Sequence, residues 1–303
     1  SNRARLEKDG RYRVFDVEYD GRVFTNVDES ETTGGKFIDP VSIGSRVSRF
    51  ICPVGADGAL QLGVLPRVLN RLLSERKATK KQMKAAAKAG DMFLSSVLDG
   101  RQRALKVTAN SIYGQTGSKT STIRCTAIAA ATTAEGRNML LHARSFVTRH
   151  YTPATPLLLP SLGLEVYRAE TVYGDTDSLF IEFHARKIGT QGPRVRGERG
   201  LQASILAGED VEKVSADEPW LRSPHCLEYE KAFFPFVIVS KKKYVGMKYA
   251  AGKTTAYLDA MGLVLKRRDN PPILKRIYGD VIDGLMKGRE FGAIVSALSR
   301  QGR

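Results

Sequence analysis

The sequence predicts an α+β fold in which antiparallel strand hairpins and long helices occupy separate blocks, and three observations carry that expectation. Residues 173–178 read Tyr-Gly-Asp-Thr-Asp-Ser, a glycine-marked turn between two apolar, strand-like runs. Two helix-period stretches, 64–89 and 92–113, are parted only by Gly90 and Asp91, and so short a break makes neighbouring helices pack antiparallel. Phe236-Val-Ile-Val-Ser240 is a further strand-like run, ending in Lys241-Lys-Lys-Tyr244.

The remaining elements follow in chain order. Residues 1–63 carry short β-like pieces, of which Tyr12–Gly21 alternates like a half-buried hairpin strand. The first helix is entered at Pro66, sets Val68, Leu69, Leu72 and Leu73 on one stripe, and turns strongly basic from Arg76 to Lys88. A third helix, 125–150, is lined by Ala127, Ala129, Ala130, Ala131 and Ala134, small enough for close packing. Pro153, Pro156 and Pro160 mark a loop, and the strand pair around the acidic turn runs from Leu164 to Phe183. The Gly/Arg-rich stretch 187–200 is expected to be mobile. Residues 201–214 read as helix, 226–250 as strands and 272–300 as helix again, with no internal repeat.

Composition narrows the partners. The 303 residues hold 48 Lys+Arg against 32 Asp+Glu, a formal net charge of +16, with ample apolar content for a core. A surplus of that size suits a polyanion, because cations that neutralise phosphates gain affinity by releasing counterions. No apolar run is long enough to span a membrane, and no secretory signal opens the chain. Cys52, Cys125 and Cys226 are scattered and odd in number, as in a reduced, intracellular protein without a zinc motif.

Three constellations carry chemistry. Asp175 and Asp177 stand one residue apart at a turn tip, where their repulsion is best relieved by a divalent cation; oxygen-only ligands suit Mg²⁺. An ordinary acidic turn would have the same composition. Lys106, Asn110 and Tyr113 are spaced by four and three and share one helix face, a set that fits a phosphate joined to a planar base. Arg76 and Lys80 are four apart on the facing helix, so three cations converge on one triphosphate if the helices pair. Lys241, Lys242 and Lys243 beside Tyr244 suit a nucleic-acid backbone. Gly114-Gln-Thr-Gly117-Ser-Lys119-Thr echoes a phosphate-binding P-loop, but Ser118 stands where glycine is required and a helix leads in.

Taken together, these segments resemble the family B DNA-dependent DNA polymerases. Lys106–Gly114 is similar to the family's Lys-x-x-x-Asn-Ser-x-Tyr-Gly motif, Tyr173–Ser178 matches its Tyr-Gly-Asp-Thr-Asp-Ser motif, and Lys241–Tyr244 resembles its Lys-Lys-x-Tyr element. Leu98-Asp-Gly-Arg-Gln102, Leu227-Glu-Tyr-Glu-Lys231 and Arg267-Arg-Asp-Asn-Pro271 agree as connecting text. The wording is most similar to the replicative delta-type branch and its relatives in large DNA viruses.

The resemblance implies a palm with an antiparallel sheet and a two-helix fingers element. It divides the chain into a partial palm or connecting segment (1–63), fingers (64–114), palm (115–270) and the start of a thumb (271–303). It implies template-directed transfer of deoxynucleotides to a primer 3′-hydroxyl with two Mg²⁺ ions. Asp177 would be the principal metal ligand with Asp175 close by. Arg76, Lys80, Lys106 and Asn110 would bind the incoming nucleotide, Tyr113 would pack under the nascent base pair, and Lys241, Lys242, Lys243 and Tyr244 would hold primer–template DNA. A processivity factor is a further partner it allows, and a nucleus or viral replication site the expected location.

One departure matters: the family's Asp-x-x-Ser-Leu-Tyr-Pro motif, which carries another metal-binding Asp, is absent from these 303 residues. The chain is therefore expected to be a piece of a polymerase, inactive alone. A palm-type RNA polymerase and a nucleic-acid-binding relative that has lost catalysis are the alternatives.

Overall fold

Antiparallel pairing and long helices build the chain, as an α+β reading requires. The computed structural model describes residues 10–23, 41–221, 224–250, 256–266, 270–290, 292–293 and 296. The chain divides into two units, Ser1–Gly136 and Arg137–Arg303.

In the first unit, strands β1 (Tyr12–Val23) and β2 (Val41–Pro53) pair antiparallel, with Tyr12 opposite Pro53 and Val23 opposite Val41. Arg49 clamps Asp16 across the ribbon through two bonds of 2.7 and 3.0 Å. Helix α1 (Val64–Lys88) carries Pro66 in its first turn, where a missing N–H costs nothing. The break lies at the expected place: Gly90 takes a φ of 81°, and the Asp91 side chain accepts from the Leu94 N–H at 2.9 Å to start α2 (Met92–Gly117). Thr79 and Ala86 of α1 and Leu98 of α2 are buried, a seam of mostly small side chains. Helix α2 runs past Tyr113 to Gly117, so the P-loop look-alike is the last turn of a helix and the turn after it. Helix α3 (Thr126–His150) runs across the division between the units.

The second unit contains two three-stranded antiparallel sheets. Strands β3 (Leu157–Leu159), β4 (Leu164–Asp175) and β5 (Ser178–Lys187) form one in that order. Helix α4 (Gly197–Ser215) lays Ala203, Ala207 and Val211 on it, and Val147, Tyr151, Leu164, Val166 and Phe183 complete the core. Fully burying each of the larger apolar side chains stabilises the unit by roughly 1.5–3 kcal/mol. Glu165 and Arg186 are buried as a pair at 2.6 Å, with the guanidinium also over the Tyr167 ring at 4.5 Å. Strands β6 (Lys231–Ser240), β7 (Lys243–Ala250) and β8 (Tyr257–Met261) form the other sheet, packed through Val245, Ala260 and Leu263 on Ile282 of α5 (Pro272–Met286).

Three expectations need correction. The 187–200 stretch is fastened to the sheet: Val195 N–H donates to Ala185 O at 2.7 Å, and Arg194 meets Glu182 at 2.6 Å. The helical stretch expected over 272–300 is interrupted: α5 ends at Met286, Gly288 takes a left-handed φ of 65°, and helical backbone resumes at 292–293 and 296. Residues 226–230 precede the strand instead of joining it.

Candidate active site

The β4–β5 hairpin closes with Asp175 opposite Ser178, which leaves Thr176 and Asp177 as a two-residue tip. Asp177 N–H donates back to Asp175 O at 2.7 Å, making a three-residue turn centred on Thr176, whose φ is 55°. That turn is rare for any residue, and a β-branched residue at positive φ is a real outlier. Strain of this kind persists only where the surroundings over-determine it, and it clusters at functional sites. Its effect here is to put two carboxylates, one residue apart, at the end of a stiff ribbon.

The two carboxylates have different surroundings. Asp175 Oδ1 accepts from Lys242 Nζ at 2.5 Å and from the Thr176 hydroxyl at 3.0 Å. The Lys242 ammonium therefore holds the Asp175 carboxyl below its ordinary range, and Asp175 in turn raises Lys242 above the usual lysine range. Asp177 is exposed, and its carboxylate has no hydrogen-bond or ion-pair partner among the described residues. As a donor set, Asp177 and the second oxygen of Asp175 fit a hard divalent cation.

Lys242 reaches Asp175 because its own turn is fixed on three sides. Its φ is 61°, and its N–H donates to the Tyr173 hydroxyl at 2.8 Å. Gly262, at a φ of 64°, lies so close to the Lys242 carbonyl oxygen that a Cβ there would collide with it. Below the turn, Tyr173, Phe180, Phe233, Phe236 and Tyr244 form one aromatic cluster with neighbouring ring centroids 5.0–6.4 Å apart. Tyr244 is 7% exposed in it, and burial pushes its phenol above the usual range. Lys241 and Lys243 are exposed.

In the first unit, Arg76 Nε donates to Gln102 Oε1 at 3.3 Å, across the α1–α2 seam. Lys106 lies one turn beyond Gln102 on α2, and Lys80 one turn beyond Arg76 on α1. Antiparallel helices place those two turns on opposite sides of the Arg76–Gln102 contact. The three cations thus follow each other along the pair over about two turns, ~11 Å. Lys106, Asn110 and Tyr113 are exposed on their face, Tyr113 by 43%. A groove of about 440 Å³ lies nearer the connecting turn, lined by Ala85, Ala86, Ala89 and Leu94, and contains none of these cations.

A second acidic group has no signature in the sequence. Glu170, Glu182 and His184 place one ligand atom each within 4.8 Å of one another on β4 and β5. Arg168 meets Glu170 and Arg194 meets Glu182, so both carboxylates are already neutralised. Burial and Arg194 hold His184 below its ordinary range, a neutral imidazole. Only pairing register, three residues opposite or diagonal across two strands, could have revealed this group.

The α+β chain thus sets an acidic hairpin tip beside a lysine-bearing hairpin. The family is given by comparison: residues 22–301 match the profile described as DNA polymerase family B, and the chain belongs to that family. It is 33% identical over 324 residues to a DNA polymerase of Pyramimonas orientalis virus, a match covering 93% of this chain and 24% of that protein. It is 34% identical over 228 residues to the DNA polymerase delta catalytic subunit of Drosophila melanogaster (75% of this chain, 18% of that protein). A DNA polymerase of Paramecium bursaria Chlorella virus NY2A is 34% identical over 224 residues (74% and 22%). The chain spans about a fifth to a quarter of the length of these relatives. No described helix is long and apolar enough to cross a membrane.

Proposed function

We propose that this chain is the nucleotidyl-transfer part of a DNA-directed DNA polymerase that extends a primer on a DNA template. The observation that carries the reading is the strained Thr176 turn, which presents the Asp177 carboxylate, without a partner among the described residues, beside the tethered Asp175. In this reading residues 64–114 are the fingers, 115–270 the palm, 1–63 a connecting part of the palm and 271–303 the start of a thumb. The nucleus or a viral replication site is the setting, and a processivity factor a partner of the whole protein.

Asp177, with Asp175 beside it, would hold Mg²⁺. When bound, the metal supplies Lewis-acid charge at the primer 3′-hydroxyl and at the triphosphate. Arg76, Lys80 and Lys106 bind the triphosphate and meet the charge that grows on its oxygens as the phosphoryl group moves. Asn110 and Tyr113 orient sugar and base, Tyr113 with its exposed ring under the nascent pair. Lys241 and Lys243 grip the primer–template backbone by charge. Tyr244, buried in its cluster, acts by holding the hairpin that carries them.

The test is primer extension by a polymerase core that includes these 303 residues. Asp177→Ala should lower the rate at least roughly a hundredfold while circular dichroism stays unchanged. Extension within about tenfold of the unmodified protein would remove Asp177 from the metal site.

A further inference from the structure

Gln102 takes no part in the roles above, yet it touches a cation that the function depends on. We propose that Gln102 is a positioning residue for Arg76, with Asp99 fixing its amide; this rests on reading Arg76 as a triphosphate-binding group.

Gln102 Nε2 donates to Asp99 Oδ1 at 2.9 Å, one turn back on α2, and Arg103 meets the other Asp99 oxygen at 2.6 Å. An ionised carboxylate only accepts, so the amide nitrogen must face Asp99 and the amide oxygen must face away. In that direction Gln102 Oε1 receives Arg76 Nε at 3.3 Å from the facing helix. Asp99 thereby decides the orientation of Gln102, and Gln102 decides where the guanidinium lies.

Gripping an arginine by Nε has two consequences. The terminal amino groups, which clamp a phosphate two at a time, stay available, and no described residue hydrogen-bonds them. A neutral acceptor also orients the cation without cancelling its charge, which a carboxylate in the same place would do. Lysine has no donor equivalent to Nε, so only arginine can be held from the side and still offer a fork.

Inorganic triphosphate, titrated calorimetrically into the 303-residue chain at physiological ionic strength without metal, reads the effect. Gln102→Ala should weaken binding about five- to tenfold, and Arg76→Ala at least as much. The double variant should bind no more weakly than Arg76→Ala alone, because Gln102 acts only through Arg76. Asp99→Asn keeps the shape and should give the same loss in smaller measure; it decides the matter if Gln102→Ala loses helicity by circular dichroism. Wild-type affinity in Gln102→Ala or Asp99→Asn, with Arg76→Ala weakened, would overturn the positioning role and leave the nucleotide reading standing. Additive losses in the double variant would also overturn it. Wild-type affinity in Arg76→Ala would instead sink the nucleotide reading itself.

Discussion

At the acidic hairpin the backbone and the neighbours of Asp177 are held: Thr176 is locked at positive φ, Lys242 is pinned by Tyr173 and Gly262, and Asp175 is tied to Lys242. Along the helix pair the opposite holds. Lys106, Asn110 and Tyr113 stand exposed on a helix face, and among the described residues Arg76 is the one of these groups held by a neighbour, Gln102. The foundations differ in the same direction, since the hairpin rises from a core that includes Tyr151, Leu164 and Phe183, and the helices meet over Thr79, Ala86 and Leu98. Under the proposed function the hairpin would have to place a metal ligand before the ion arrives, whereas cations proposed for a triphosphate could adapt along a flexible polyanion. The difference teaches that pre-organisation is concentrated where directional bonds are needed.

The largest expected effect tests the foundations. Leu164→Ala, at a position with 0% exposure, should cost about 2–5 kcal/mol in urea unfolding. Leu98→Ala should cost nearer the lower end, about 2 kcal/mol, because the groove beside it lets the helices close over the gap. Equal losses would erase the contrast between the two regions.

Gly262→Ala attacks the clamp. It combines a left-handed backbone with a collision against the Lys242 carbonyl, so a loss of about 1–3 kcal/mol is expected. The Lys242–Asp175 pair should loosen with it, seen as an Asp175 titration returning toward its ordinary value. A neutral outcome would mean that the lysine turn is not positioned by Gly262.

Thr176→Asn should act in the other direction. Asparagine tolerates the left-handed region, so the protein should gain about 1 kcal/mol. Primer extension by the polymerase core should fall even so, since strain that serves function is relieved at its cost. Loss of stability would show that Thr176 is not strained.

The smallest effect is electrostatic. Asp175 titrates below its ordinary 3.8, so the pair's stabilisation is present above that value and fades as pH falls through the depressed one. Lys242 is raised above 10.5, so at the alkaline end the pair is lost only beyond that value. Across neutral pH the pair is intact. Carboxyl NMR should place the Asp175 midpoint below 3.8 and move it upward in Lys242→Met; an unmoved midpoint would detach the two residues.

Much of this organisation was legible in the sequence because it is local. The Gly90-Asp91 break, the two helix periods and the glycine-marked acidic turn each announce themselves within a few residues. What stayed hidden depends on partners far away in the chain. Lys242 read as one of three equivalent lysines; its contact with Asp175 spans 67 positions and needs a positive φ that no lysine advertises. Tyr244 read as a DNA-facing aromatic, and its burial becomes visible only when β6 and β7 bring Phe233 and Phe236 around it. The 187–200 stretch looked mobile from composition, since the bridge from Val195 to Ala185 cannot be read from glycine content.

The proposed function puts a divalent cation at the tip of the β4–β5 hairpin, through Asp177. Substoichiometric Mn²⁺, followed by paramagnetic broadening of backbone amide signals in the 303-residue chain, tests it most directly. Broadening should centre on Thr176, Asp177 and Ser178 and disappear in Asp177→Ala. Broadening that persists in that variant, or that centres on Glu170, Glu182 and His184, would contradict the account.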